Sequence, residues 1–572
     1  MSTLASASPA RPFGPRAARA LRTHAPELAF AAVLVLGAAL VLVETRGLSF
    51  FADDWDFVVD RRGLSPDVLL RPHGPHLSLV PILVYKVLLQ VFGGSSYLPF
   101  RMLAAFDIVI LGLVLGVACR AWWGRWWGVA PVLLLVTLGP GGVSLLWSFQ
   151  SGYAIAVAAG VVSLLALRSE GRRADLTSCL ALIVSLASAS QGIGFTAGAA
   201  VMLALRGDWR RRAWVVVIPA VLYGLWYLKW GAPYSETRIS LWDTSLPYAA
   251  QALSATIGPL TGLSTVSPQT GLLDLTFGVP LAIAAIAALA VACGRGWRAP
   301  SIFWGVAATL VVLWVAASVS NWGPYPRAPN DPRYLSSDAV LFLICLCAAL
   351  PRPRLRTQGA IVAAVALVIV AATNVRQYGV ARNSMQGSDV ISRAELGALL
   401  IMRGVVGPDF SPALPGDPSI LVGVDARSFF SAYDSFGLMA DSPETLLGLN
   451  ETTREAVDRE LARGELALSP ASGGIGPGTH APSVISGSGR ASAGCIALTS
   501  APVVIRAIPG RYELTASKSI SVSMARFAGA YTVTLGPVLA GSPEVLPVPS
   551  DHALGIPWRM MVSGAGGRVC VA

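Results

Sequence analysis

Two stretches of the chain hold residue types whose spacing could do chemistry. The first reads Phe51-Ala52-Asp53-Asp54-Trp55-Asp56-Phe57 and is followed by Arg71-Pro72-His73-Gly74-Pro75-His76. Neighbouring carboxylates repel, so one of Asp53 and Asp54 can hold its proton to higher pH and act as a general base near neutrality. The same pair can hold a divalent cation through oxygen ligands. A base beside a membrane surface suits activation of an acceptor hydroxyl. A solvated acidic turn, or a helix N-cap by Asp53 or Asp54, would use these residues without any chemistry. His73 and His76 stand close in sequence, but Pro72 and Pro75 argue against a regular helix presenting both, and an interfacial role competes for them.

The second stretch reads Tyr325-Pro326-Arg327-Ala328-Pro329-Asn330-Asp331-Pro332-Arg333-Tyr334-Leu335. Arg333 stands where an apolar span begins. A guanidinium there can pair with a phosphate at headgroup level, or Arg and Tyr can simply anchor the interface. Arg101 occupies a similar position at an earlier span. Asp107 falls inside a span, where a carboxylate is costly and must face a polar cavity or a partner. The chain has no Walker A loop, no dinucleotide-binding fingerprint after a strand and no His-Glu-x-x-His. Nucleotide-driven transport therefore has no support in this chain.

The elements that must position these residues are dictated by composition. The chain has 572 residues, 54% of them apolar and 13% charged, with a mean hydropathy of +0.61. Soluble domains carry about 25% charged residues, so most of this chain belongs in lipid. The net charge of +11 is unevenly placed: residues 1–373 carry 28 Lys+Arg against 16 Asp+Glu, and the remainder 15 against 16. The basic excess lies between apolar segments, where it reports membrane orientation and not nucleic-acid binding. Eleven spans are expected, at 27–44, 100–119, 127–146, 149–167, 175–190, 193–205, 213–230, 273–293, 301–319, 335–350 and 358–373. The break inside 175–205 is placed at Ser190-Gln191-Gly192-Ile193-Gly194. With the N-terminus in the cytoplasm, 18 of the 28 cations fall in short inside loops, as the positive-inside rule requires. Leu77–Phe92 is short, contains Pro81 and Lys86, and is expected as an amphipathic helix on the outer surface. The first apolar run has no good cleavage site and is expected to stay as an anchor. Trp122, Trp123, Trp126 and Trp127 read as interfacial belt.

These expectations define a polytopic α-helical membrane protein of the cell (plasma) membrane. Its parts are a cytoplasmic tail (1–26), a transmembrane domain (27–373) whose first outside loop (45–99) carries the candidate chemistry, and an extracytoplasmic C-terminal part. Residues 374–492 read as mixed α/β, with a buried-strand candidate at 419–424, a helical stretch at 442–465 and a Gly/Ser/Pro-rich linker or loop at 470–490. Residues 493–572 alternate apolar and polar side chains, as at Ile520, Val522 and Met524, and read as a β-sandwich. Cys495 opens that unit and Cys570 closes it, and in an oxidising compartment a disulfide between them is natural.

An anchor span, an outside loop with Asp53-Asp54-Trp55, an amphipathic helix and then many spans resembles the GT-C glycosyltransferases. Ala52–Phe57 with Pro72–His76 is similar to actinobacterial members of that superfamily, related in plan to arabinosyl- and mannosyltransferases of cell-wall biogenesis. The Arg333-Tyr334-Leu335 triplet is similar too, and a carbohydrate-binding-module-like sandwich fits the arabinosyltransferase pattern. The resemblance implies a polyprenyl-phosphate sugar donor taken from the membrane lipid and a glycan or lipid acceptor. It implies Asp53 as base and Asp54 as its support or as ligand of a divalent cation (Mg²⁺, Mn²⁺ or Ca²⁺). Arg333 would hold the donor phosphate, assisted by Arg327, His73 or His76. A second acidic metal motif is missing, since Asp243 and Asp274 are isolated. Two other readings remain open: a transporter for lipid-linked glycans, and an inactive glycan-binding scaffold.

Overall fold

A computed structural model describes residues 15–322, 327–412, 421, 423–471, 482–492, 495–553 and 555–571. The chain divides into two compact units. One comprises Met1–Arg46, Leu64–Val84 and Leu98–Asn383; the other comprises Gly47–Gly63, Tyr85–Tyr97 and Ser384–Ala572. The segment 45–99 therefore contributes to both.

The first unit is helical because long apolar segments can satisfy their backbone groups in lipid only within a helix or a closed barrel. Among the described residues seven helices are long and apolar enough to cross a membrane, and eight if a bent pair counts as one span. The chain is a multi-pass membrane protein. Sequence reasoning expected eleven spans. The bent pair, Val129–Val136 with Gly139–Leu146, turns by 52°, where Gly139, Pro140 and Gly141 interrupt the ladder. The other three expected spans are the helices Arg172–Ser188, Gln191–Arg206 and Gly278–Gly294, of 17, 16 and 17 residues. Each is a helix, but each falls short of the roughly 20 residues of a perpendicular span. The expected break inside 175–205 is present: Ala189 is extended and the next helix begins at Gln191.

Packing in this unit relies on small residues, since lipid provides no hydrophobic drive between helices. A Cβ at Gly198 would lie 2.3 Å from the carbonyl oxygen of Gly305, so Gln191–Arg206 and Ser301–Val319 meet backbone to backbone. One of the loop arginines is a clamp as well as a charge. Buried Arg212 bonds Asp175 at 2.7 Å, Asp208 at 3.3 Å and the carbonyls of Leu167 and Ser169 at 3.3 and 3.0 Å. Arg101 bonds Thr45 Oγ1 at 3.1 Å and the carbonyl of Leu42, which satisfies the C-terminal end of the first helix. Asp107 is buried in the helix Leu98–Trp127, and its Oδ1 has no hydrogen-bond partner among the described residues.

The segment expected to lie on the outer surface is the helix Leu79–Phe92. Ile82, Tyr85 and Leu89 are buried while Leu83, Val87 and Val91 are exposed, so it shows an apolar stripe on its free side at helical spacing.

In the second unit, helices precede sheets. Ala426–Phe436 starts on a capping box between Asp425 and Ser428, and Glu451–Glu465 starts on Asn450, whose side chain accepts from Thr453 N–H at 3.0 Å. These caps follow the rule that Asp, Ser and Asn favour the N-cap. Three helices fill 426–465, where the sequence reads as mixed α/β. Residues 419, 420 and 422 of the strand candidate 419–424 lie outside the described residues, and 421, 423 and 424 are in no strand; of the expected loop 470–490, residues 472–481 lie outside them and Ser483–Ser486 is a strand. Two antiparallel sheets follow. The first has the spatial order Ser469–Pro470, Glu544–Val548, Gly510–Ala516, Gly567–Val571, Cys495–Ala497, Arg490–Ser492. The second has the order Ser483–Ser486, Val503–Ala507, Trp558–Ser563, Ile520–Ala525, Val533–Val538. The alternation at Ile520, Val522 and Met524 buries all three. Cys495 and Cys570 face each other across paired strands and are joined by a disulfide. The helix Glu451–Glu465 is tied to the sheets by Asp458, whose carboxylate accepts the backbone N–H groups of Arg526, Phe527 and Ala528 at 2.8, 2.8 and 3.0 Å.

Candidate functional site

The acidic pair sits in the second unit on a turn with unusual backbone. Ala52 has φ +47°, the one non-glycine residue in the left-handed region among the described residues. Such strain costs about 1–3 kcal/mol and persists only where the surroundings impose it. Here Asp54 imposes it. Its side chain is fully buried. Its Oδ2 accepts Phe51 N–H at 2.9 Å and the Tyr97 hydroxyl at 3.2 Å, and its Oδ1 accepts the Tyr85 hydroxyl. The rings pack edge to face around it: Phe50 on Trp55 and on Tyr97 at 5.5 and 5.2 Å, and Phe57 on Tyr85 at 5.3 Å. A π-helical turn, Asp56–Asp60, follows at once and is closed by the Asp56–Arg61 ion pair at 3.1 Å. Asp54 is thus held among hydrogen-bond donors within the loop, while Asp53 beside it is only half-buried. Among the described residues no group of three or more His, Cys, Asp or Glu side chains is arranged to hold a metal ion.

The histidines and the loop arginines sit in the first unit. Residues 73–76 form a tight turn: His73 N–H donates to His76 O and His76 N–H to His73 O, both at 3.0 Å. Gly74 has φ +52° at the first central position, which favours glycine there. His73 packs on Phe149 at 5.0 Å. His76 is bonded through Nδ1 to Ser190 Oγ and through Nε2 to the Tyr153 hydroxyl at 3.4 Å. Loss of hydration first, then the charges of Arg327, His73 and Arg333, push its pKa down to about 3. At physiological pH His76 is therefore held neutral, with both ring nitrogens engaged in these bonds.

His76 and Arg327 line one cavity of 480 Å³ in this unit. Its wall combines Tyr153, Ser190, Tyr248, Tyr334 and Asp338 with aliphatic residues of the helices, such as Ile193, Ala220 and Leu313. Each loop arginine has a carboxylate partner. Arg327 pairs with Glu236 and donates to Ser320 O at 3.3 Å; Arg333 pairs with Asp331 at 2.8 Å and lies 5.0 Å from the Tyr334 ring centre. Asp331 also accepts Arg333 N–H at 3.0 Å, which opens the short turn Pro332–Tyr334. The Tyr248 hydroxyl donates to Arg327 O at 2.8 Å. Asp338, on the helix Leu335–Ala349, accepts the Trp314 indole N–H at 2.9 Å.

Sequence reasoning named His73, His76, Arg327 and Arg333 in this unit and Asp53 and Asp54 in the other. It passed over Tyr153, Ser190, Tyr248 and Trp314 as site residues; they come from three separate helices and the turn before Gln191 and share no local motif. Asp338 carried a signal, since it is an acid within an apolar segment.

No protein-family model matches the chain, and no curated protein matches it. Among solved structures the chain is similar to ArnT from Cupriavidus metallidurans bound to undecaprenyl phosphate. The two are 12% identical with a TM-score of 0.43, over 73% of this chain and 85% of that one.

Proposed function

We propose that the protein is a membrane glycosyltransferase of the GT-C type, moving a sugar from a polyprenyl-phosphate donor to a glycan or lipid acceptor on the outer face of the membrane. The observation that carries this reading is the amphipathic cavity among the membrane helices. Arginine, phenol and carboxylate groups meet aliphatic walls there, as a ligand with a polar head and a lipid tail would need. A water-soluble substrate would have no use for the aliphatic wall. The resemblance in the first outside loop supports the same reading from the other unit. The ArnT likeness is too distant to add to it.

In this reaction Asp53 takes the proton of the acceptor hydroxyl as its oxygen attacks the anomeric carbon, with inversion. The bond from that carbon to the phosphate oxygen breaks, and the polyprenyl phosphate leaves with the electron pair. Arg333 and Arg327 stabilise the charge growing on the leaving phosphate, which preorganised cations do at little reorganisation cost. The salt bridges to Asp331 and Glu236 hold their guanidinium planes ready. Asp54 keeps Asp53 in place through the strained turn. A divalent cation at the acidic pair belongs to the proposal as an option that chelation tests.

The test uses protein in lipid nanodiscs and undecaprenyl phosphates carrying different single sugars. Release of undecaprenyl phosphate with one of them, lost in Asp53→Asn, supports the enzyme. General-base removal costs about 10²–10⁴-fold in rate. Lipid-linked glycan crossing the bilayer without sugar transfer would support the transporter reading.

A further inference from the structure

The geometry points to Asp338 as a specificity-determining residue that binds hydroxyl groups of the donor's sugar, with Ser190 and Tyr153 around His76 completing the subsite. This inference rests on the reading of the cavity as the donor site.

Asp338 is 7% exposed and stands in an apolar helix. An acid there is expensive and calls for a function. It lines the cavity. The bond from Trp314 to Oδ2 fixes the carboxylate, and no other hydrogen bond to it is present among the described residues. Trp314 is itself a cavity residue, 9% exposed. A carboxylate accepts hydrogen bonds and repels other anions. Sugar hydroxyls are donors, and a phosphate is an anionic acceptor. Asp338 therefore favours the sugar and disfavours the phosphate, and Arg327 on the same cavity does the reverse. The lining of one cavity thus carries a group suited to each chemical half of a lipid-phosphate sugar.

The surroundings agree with a sugar. Tyr153, Tyr248, Tyr334 and Trp314 supply ring faces, whose π-clouds suit the C–H face of a pyranose or furanose. His76 has both ring nitrogens occupied by hydroxyls of the cavity wall. Being neutral and already bonded on both nitrogens, it orients the Ser190 and Tyr153 hydroxyls without placing a positive charge beside them.

The experiment measures binding to the full-length protein in detergent micelles. The probes are bare undecaprenyl phosphate and undecaprenyl phosphates bearing mannose, glucose or arabinose. For the wild type, at least one sugar-bearing lipid is expected to bind tighter than the bare lipid. Asp338→Asn should weaken that lipid at least about tenfold and spare the bare lipid, since a neutral amide loses the charge-assisted acceptor. Trp314→Phe, which frees the carboxylate without changing its charge, should give a smaller loss with the same selectivity. Arg327→Gln should weaken both probes together. Equal weakening of both probes by Asp338→Asn, or no effect on the sugar-bearing lipid, overturns the subsite. So does a wild type that prefers no sugar-bearing lipid. A wild type that binds neither probe instead overturns the donor-site reading itself. Unchanged melting temperatures of the three variants guard against misfolding.

Discussion

Replacing Asp54 by Asn should separate a positioning role from a chemical one. Asp54 accepts three hydrogen bonds, from Phe51 N–H and from the hydroxyls of Tyr97 and Tyr85. Bonds to a charged acceptor contribute about 1.5–3 kcal/mol and neutral ones about 0.5–1.5. The amide oxygen can keep the two donors on Oδ2, and the Tyr85 hydroxyl can turn to accept from the new NH₂. The loss is then about 1 kcal/mol per bond, or about 2–3 kcal/mol for the loop. That is comparable to the strain of about 1–3 kcal/mol in the turn, so the turn at Ala52 should relax. A shift of about 1 Å in a reacting group can cost about 10²-fold, and Asp53 is the neighbouring residue. Hydrogen exchange should show faster exchange across residues 50–60, with the remaining peptides unchanged. Turnover in the nanodisc assay should fall about 10–100-fold. Wild-type protection of 50–60 with normal turnover would refute the argument. Recovery of Asp54→Asn turnover by excess Mg²⁺ or Ca²⁺ would replace the positioning role with a cation site.

Three further outcomes are expected. Glu465 is held protonated by burial and by the nearby Asp551 carboxylate, its pKa pushed up from an ordinary 4.5 to about 8. The folded state thus binds more protons than the unfolded one in that window, and stability declines as pH rises from about 4.5 towards 8; Glu465→Gln should flatten this decline in melting scans. The Cys495–Cys570 disulfide closes a separation of 75 residues, so the double Ser variant should lose up to about 4.5 kcal/mol on the loop-entropy estimate, read by chemical denaturation, and no loss would contradict it. His76, neutral above about 3, should add no limb to the pH–rate profile between pH 5 and 8; a limb removed by His76→Gln would contradict that.

The helical plan was legible because hydropathy and charge act along the chain. The reversal after Ala189 could be placed from Ser190-Gln191-Gly192, and the β alternation at Ile520, Val522 and Met524 gave its inward face. Span number was less legible, since three of the expected spans are helices of only 16 or 17 residues, and of these Gly278–Gly294 alone is apolar throughout. The helical stretch expected at 442–465 is present as Pro443–Leu447 and Glu451–Glu465, while Ala426–Phe436, which starts on the cap at Asp425, was not anticipated. The site was half legible. Asp53, Arg327 and His76 stand in marked motifs, but Ser190, Tyr153 and Trp314 gain meaning only when separate helices bring them to one cavity. The burial of Asp54 was invisible too, because its partners Tyr85 and Tyr97 lie 31 and 43 residues on.

The measurement closest to the central claim is glycosidic linkage analysis of the host's cell envelope. The deletion strain would be rescued with wild type or with Asp53→Asn at matched protein levels. The account predicts one specific linkage missing in the Asp53→Asn strain and restored by wild type. Full restoration by Asp53→Asn would contradict it and leave the transporter or scaffold in its place.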